Sequence, residues 1–149
     1  AIIALVILSG IAAVLWAPRY GTLLDDVAND GLNVAVIAFI GGALYGAFGY
    51  FVGGVVVYGL TRAFGGITFR QARHVLAFAS APIALSLFAV WPVRLAVYGQ
   101  DVFRSGGSDH GPGNAAFVAV ELVFVAWSVA LLVIGLHAVL RRQPRLERL

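Results

Sequence analysis

The chain has 149 residues, of which 61% are hydrophobic and 11% are charged, and its formal net charge is +3. Ordinary soluble domains carry roughly 25% charged residues, so this composition excludes a soluble fold that hides its apolar surface inside. The absence of cysteine excludes disulfides, iron–sulfur clusters and thiol chemistry. Since a helical membrane span needs about 20 apolar residues, the sequence predicts an all-α, polytopic transmembrane helix bundle.

Four apolar runs predict four spans within a single transmembrane domain that covers residues 1–149. We expect the spans at about 1–17, 32–61, 69–99 and 115–141. The chain begins at Ala1 already inside an apolar run, so we expect a truncated N-terminus. A signal peptide is the alternative for the first run, but the later spans favour a first membrane helix.

Arginine is distributed unevenly between the segments that join the spans. The segment 61–74 carries three arginines and no acid, and the C-terminal tail is also basic, whereas the segments 18–31 and 100–114 are acidic. Basic segments stay in the cytoplasm, so both termini are predicted to be cytoplasmic in a multi-pass protein of the cell membrane. This placement accounts for the pI of 9.8 and predicts the lipid bilayer, not nucleic acid, as the partner.

Glycine is concentrated inside the second run, in the sequence GGALYGAFGYFVGG. Gly42, Gly46, Gly49 and Gly53 recur at steps of four, three and four, so they share one helix face in a GxxxG-type pattern. Small residues let membrane helices approach backbone to backbone. The stripe therefore predicts helix packing within the chain or, as the alternative, an interface for self-association or for another membrane protein.

Local signals place the ends of the third and fourth helices. Thr68 and Gln71 form a predicted capping box after the Gly65-Gly66 turn. Asn114 is predicted to cap the fourth helix and Pro144 to end it.

Two prolines, Pro82 and Pro92, predict kinks in the third helix. Each leaves the carbonyl four residues earlier without its usual donor, and Ser80 or Ser86 could satisfy these carbonyls. Such kinks are common structural features of membrane helices, and broken helices also bind substrate in transporters.

Arg94 and Glu121 are the charged residues inside the apolar runs 75–99 and 115–140, away from the basic ends of these two predicted spans. They lie about 7.5 and 9 Å from the ends of successive antiparallel helices, so we predict an intramembrane ion pair. The pair could pin two helices or line a proton or ion pathway, and Arg94 could alternatively extend to the membrane surface. Glu121, Ser128 and Gly135 are spaced by sevens, so this face is predicted to point into the bundle.

Histidine residues suggest two further candidate sites. His74 and His137 lie near the same membrane surface and could in principle clamp a haem. His110 beside Asp109 is insufficient for a metal site. No P-loop, HExxH or nucleophile-elbow pattern occurs, so the sequence predicts no enzyme, no metal and no cofactor.

The segments LTRAFGGITFRQARHVLAFASAP, residues 60–82, and WSVALLVIGL, residues 127–136, resemble the bacterial branch of the Yip family. This family comprises Rab/Ypt-interacting multispan membrane proteins, and the resemblance covers roughly residues 32–141. It implies a small helical membrane protein without enzymatic chemistry, with one further span upstream of Ala1 to reach the family's usual five. The residues that carry it are Arg62, Gly65, Gly66, Phe69, Gln71, Phe78, Ala79, Pro82, Trp127 and Gly135.

Two functions from different classes follow from these observations. The resemblance implies a non-enzymatic scaffold or adaptor in membrane organisation or trafficking, acting through helix–helix contacts. The alternative is a small transporter or channel subunit that uses the intramembrane Arg94–Glu121 pair.

Overall fold

A computed structural model describes residues 2–16, 31–99, 102 and 112–146. Within these ranges the structure contains helices, turns and no strands, which confirms the predicted all-α class. The helices are α1 (Ile2–Trp16), α2 (Gly31–Arg62), α3 (Phe69–Ala79), α4 (Ala81–Ala89), α5 (Trp91–Tyr98) and α6 (Pro112–Leu146).

Three helical segments in the described ranges are long and apolar enough to cross a membrane. They are Ala35–Arg62, Phe69–Tyr98 and Asn114–Arg141, so α3, α4 and α5 together form one interrupted span, called here the middle span. The first predicted span is the apolar helix α1, whose 15 residues fall short of the roughly 20 that a full crossing needs. The 32 residues of α2 extend about 48 Å, so this helix must tilt or protrude from a core about 30 Å thick.

The middle span lies between the other helices. Its first part, α3, contacts α1, α2 and α6, while α4 contacts α1 and α6 and the helix α1 runs along α2. The outer faces of α2 and α6 remain apolar and exposed, as at Phe48 and Val123, whose side chains are each 66% exposed. The bundle therefore offers the bilayer a hydrocarbon-like surface, as expected of a membrane protein.

A tight turn at residues 63–68 joins α2 to α3, and we call this side of the bundle the turn end. Gly65 and Gly66 have φ angles of +108° and +73°, which side chains other than glycine rarely adopt. The backbone N–H of Gly66 donates to the Thr61 carbonyl at 2.9 Å. The turn therefore satisfies a carbonyl that the end of α2 would otherwise leave open.

The capping box opens α3 immediately after this turn. The Gln71 N–H donates to Thr68 Oγ1 at 3.2 Å, and the Thr68 N–H donates to Gln71 Oε1 at 2.9 Å. Beneath the turn, Val57, Ile67 and Ala72 form a small buried cluster against side chains of α6. The helix start is thus fixed both locally and by packing.

The two prolines coincide with interruptions of the middle span. The helix stops at Ala79 and resumes at Ala81, then stops at Ala89 and resumes at Trp91, with Pro82 and Pro92 in the first turns that follow. The expected role of the serines needs correction. Ser80 Oγ donates to the Ala77 carbonyl and Ser86 Oγ to the Ile83 carbonyl, each at 2.8 Å, instead of reaching the carbonyls that the prolines free. The reason is reach: a serine hydroxyl bonds back about one turn along its own helix.

The predicted ends of the last helix are also corrected. The helix α6 begins at Pro112, so Asn114 lies inside its first turn and does not cap it. Proline suits the first helical position, where no backbone N–H is needed. The helix continues past Pro144 to Leu146, because a proline this close to the end interrupts only the last turn.

Candidate functional site

Glycines bring the backbones of α1 and α2 into direct contact. A methyl group on Gly46 would overlap the carbonyl oxygen of Val6, and one on Gly10 would overlap the carbonyl oxygen of Gly42. A methyl group on Gly42 would lie 2.5 Å from the Ile11 Cα atom. No side chain larger than hydrogen fits these positions without movement of a helix.

The other two glycines of the predicted stripe have different surroundings. A methyl group on Gly53 would lie 2.6 Å from Leu76 Cδ2, whereas one on Gly49 would meet nothing within 4 Å. Three of the four stripe glycines therefore pack within the chain, and Gly49 borders an open space. Sequence reasoning missed Gly10, although Ser9 and Ala13 beside it form a small-residue pattern that could have identified it.

Arg94 and Glu121 come together where the middle span meets α6. Arg94 Nη1 lies 3.7 Å from Glu121 Oε1, and the two residues are only 8% and 5% exposed. Arg94 Nη2 donates to Asn114 Oδ1 at 3.0 Å, and its guanidinium carbon lies 5.3 Å from the centre of the Trp91 ring. A buried positive charge is thus held by a carboxylate, an amide and an aromatic face.

The Glu121 carboxylate is paired in charge but poorly satisfied by hydrogen bonds. Its distance to Arg94 exceeds that of a hydrogen bond, and neither of its oxygens accepts one from the residues that the structure describes. The Trp16 side chain approaches it from α1 without standard hydrogen-bond geometry. Ser128, seven residues further along α6, is also buried, and its hydroxyl has no partner in the same described ranges.

The face of α6 that carries Glu121 continues toward the turn end. Gly135 packs on α3, where an added methyl group would lie 2.8 Å from Val75 Cγ1. Since Glu121 and Ser128 are buried, the whole face is directed at the middle span. Polar and small side chains are thereby kept away from lipid.

Arg73 occupies a second charged site that sequence reasoning missed. Its guanidinium carbon lies 4.6, 5.2 and 5.1 Å from the ring centres of Phe69, Tyr50 and Phe51. Gly54 makes room for the Arg73 stem, because a methyl group there would overlap Arg73 Cγ. The sequence predicts this charge only as part of the basic segment 61–74 at the start of the third span, whereas the structure places the residue in the second turn of α3 against aromatic rings. The sequence pattern that could have identified this site is a basic residue one turn after the start of α3, preceded in the chain by the aromatic and glycine-rich sequence of α2.

Cavities lie between the described helices, and two of them are lined by residues of the predicted sites. A cavity of about 210 Å³ is bounded by α1, α2, α3 and α4, and its lining includes Gly46 and Gly49. A groove of about 530 Å³ runs between α3 and α6 and is lined by His74 but not by His137. The structure therefore does not bring the two histidines into one cavity, and His110 and Asp109 lie outside the described residues. Among the residues described, no three His, Asp or Glu side chains cluster in a way that could hold a metal.

Some of the residues that carry the family resemblance are buried and others are exposed. Pro82 is fully buried and Ala79 is 4% exposed, whereas Phe78 and Trp127 are 56% and 49% exposed. Trp127 stacks on Phe124 with ring centres 6.4 Å apart. Its indole N–H makes no hydrogen bond to the described part of the chain. Packing within the described part of the chain therefore accounts for Pro82 and Ala79 but not for Phe78 and Trp127.

Comparison with known proteins gives one family match. The model of the Yip1 domain matches residues 1–148, which includes every helix described above. No curated protein and no solved structure matches the chain.

Proposed function

The chain belongs to the Yip1 domain family, and from that membership we propose that this helical membrane protein is a scaffold or adaptor. It would organise membranes or trafficking components by holding other membrane proteins through helix–helix contacts, without enzymatic chemistry. The bilayer contact of the apolar helices supplies the setting for such contacts.

The exposure of Trp127 inside a membrane span is the single observation on which this proposal rests. Trp127 lies near the middle of the span Asn114–Arg141, half exposed and with its indole N–H unbonded in the described ranges. Tryptophan is normally enriched at the two membrane interfaces, where its N–H reaches water. At mid-membrane depth an exposed indole gains most from a neighbouring helix that covers the ring and accepts its hydrogen bond.

The groove between α3 and α6 supports the same location for a partner helix. Leu131 and Ile134 line it, and they lie four and seven residues after Trp127, on the same side of α6. Phe78, an exposed residue that also carries the family resemblance, lines the other wall of the groove. Trp127 and the groove thus form one continuous surface for a membrane-protein partner, which includes a second copy of this chain.

Placing a photo-crosslinking amino acid at position 127 tests this surface in native membranes. We expect a discrete, saturable adduct at position 127 and none at position 129, because Val129 is similarly exposed on another face of α6. Two differently tagged copies distinguish self-association from a different partner. Equal labelling at both positions would mean that the surface meets only lipid.

The matching substitution is Trp127→Ala. It is expected to abolish capture of the partner while changing the unfolding midpoint little, because half of the side chain already lies outside the bundle. Val129→Ala is the control and should leave capture unchanged. A fall in the unfolding midpoint large enough to account for the loss of capture would instead assign Trp127 to internal packing.

We also propose that the protein lies in the cell membrane with its turn end and both termini in the cytoplasm. Exposed Arg62, Arg70 and Arg141 support this orientation through the positive-inside rule. Since the chain has no cysteine, a single cysteine replacing the exposed Ala63 can be labelled by a membrane-impermeant maleimide. We expect labelling in inside-out vesicles and protection in intact cells; the reverse pattern would invert the topology.

A transporter or channel subunit remains the second candidate because of Glu121. Both of its carboxylate oxygens are buried without a hydrogen bond in the described ranges, which is a state that a transported proton or cation could relieve. Liposomes containing the protein should then show a proton or cation flux that Glu121→Gln abolishes. Flux no greater than that of empty liposomes removes this candidate.

A further inference from the structure

Arg73 presents a positive charge that, among the residues the structure describes, has aromatic rings but no anion beside it. Its guanidinium lies against Tyr50, Phe51 and Phe69, and its Nε is buried without a hydrogen bond. No carboxylate of the described residues pairs with it. Aromatic faces fix the orientation of a guanidinium, but its N–H donors still favour oxygen acceptors. The site therefore offers N–H donors to an anionic group that the described residues do not supply.

The cavity of about 210 Å³ lies beside this charged site and extends into the bundle, and Arg73 itself is not one of the residues that line it. Leu76, Ala77 and Ser80 line it, and they follow Arg73 at three, four and seven residues, so all four share one helix face. Tyr50 lines the cavity and also contacts the guanidinium. Arg73 thus lies at the turn end of the cavity.

The depth and lining of the cavity fit a hydrocarbon chain. From Arg73 to Ile83, at its far end, the middle span rises about 15 Å, which is half of a core about 30 Å thick and hence the depth of one leaflet. The hydroxyls of Ser9 and Ser80 already donate to carbonyls of their own helices. Apolar cavities of about 150 Å³ already bind small hydrocarbons, so this volume is sufficient for part of an acyl chain.

We propose that this cavity binds one acyl chain of an anionic phospholipid whose phosphate contacts Arg73. A phosphate oxygen is the acceptor that a guanidinium fork matches best. Tyr45 and Gly49 line the cavity and are also exposed at the bundle surface, so a chain can enter sideways from the bilayer. The proposal does not depend on the adaptor function.

Native mass spectrometry of the intact protein tests the site with dioleoyl phosphatidylglycerol and dioleoyl phosphatidylcholine as probes. We expect one tightly bound phosphatidylglycerol, with its affinity about tenfold lower in Arg73→Gln. The matched control is Arg70→Gln, which removes the same charge from an exposed position on the same helix and should lower the affinity by less than about threefold. If the two variants lose the same affinity for phosphatidylglycerol, general surface charge explains the binding and the proposed site is contradicted.

Gly49→Leu tests the chain-binding part separately. This variant retains Arg73 and directs a side chain into the cavity, so it should weaken the binding of both lipids. Soluble glycerol phosphate should fail to compete, because it has no chain; full competition would identify a phosphate site and overturn the lipid assignment. Should Arg73→Gln fail to purify as a single species, undiminished lipid binding by Gly49→Leu would still contradict the proposal.

Discussion

Replacing Arg94 with methionine is expected to destabilise the bundle by about 3–5 kcal/mol. The change removes the positive charge 3.7 Å from Glu121 Oε1 and also the donor to Asn114 Oδ1. The carboxylate would then be buried alone, beside helices with no water to solvate it. The unfolding midpoint in a detergent–SDS titration measures the loss.

The double variant Arg94→Met/Glu121→Met tests whether stability depends on the interaction of the two residues or on each residue separately. A buried ion pair replaced by apolar side chains of similar size is often neutral or stabilising, so the double variant should recover most of the lost stability. Arg70→Met, at an exposed arginine, is the control for general loss of charge. Additive losses in the double variant would show that the two side chains act independently and that the pair is no pin.

Glu121→Gln relates this prediction to the second candidate function. If the pair only joins two helices, this variant should lose stability while flux through liposomes stays at the background level. If Glu121 carries protons or cations, flux should disappear although the protein remains folded. The two readouts therefore distinguish a structural pin from a pathway.

Gly46→Ala is expected to destabilise the bundle by about 1–3 kcal/mol, the usual cost of overpacking. Its new methyl group would overlap the carbonyl oxygen of Val6, a backbone atom that cannot rotate away. The helix α1 must therefore separate from α2. Loss of a disulfide crosslink between cysteines placed on the two helices provides a direct measurement, because the natural chain contains no cysteine.

Gly59→Ala is the matched control on the same helix. A methyl group there meets nothing within 4 Å, so the substitution should be neutral or stabilise α2 by up to about 1 kcal/mol. The two variants change helix propensity equally, and only Gly46→Ala creates a clash. Equal behaviour of the two would mean that the α1–α2 contact contributes nothing to stability.

The class of fold could be predicted from the sequence because lipid imposes a simple requirement. Backbone groups in a bilayer must bond within their own segment, so long apolar runs become helices. The Thr68 capping box could be predicted for a related reason, since all of its atoms lie within four residues. Both features depend on local chemistry.

The partners of each helix face could not be predicted in the same way. Periodicity places Gly42 and Gly46 on one face but does not reveal that Gly10 lies opposite. The surroundings of Arg73 could not be predicted, because two of its three aromatic neighbours, Tyr50 and Phe51, belong to another helix. Asn114 looked like a cap, but a side chain 20 residues away in sequence uses its oxygen. Such contacts depend on how helices are arranged in space, which one sequence does not determine.

The central position of the middle span has a consequence for biosynthesis. The helices α1 and α2 are made before the middle span and contact each other, whereas the main contacts of α6 are with α3 and α4. Membrane helices can insert individually before they associate. The order of translation therefore matches the order in which these contacts become possible: α1 can pair with α2, the middle span can then pack on that pair, and α6 can pack on the middle span once it is made.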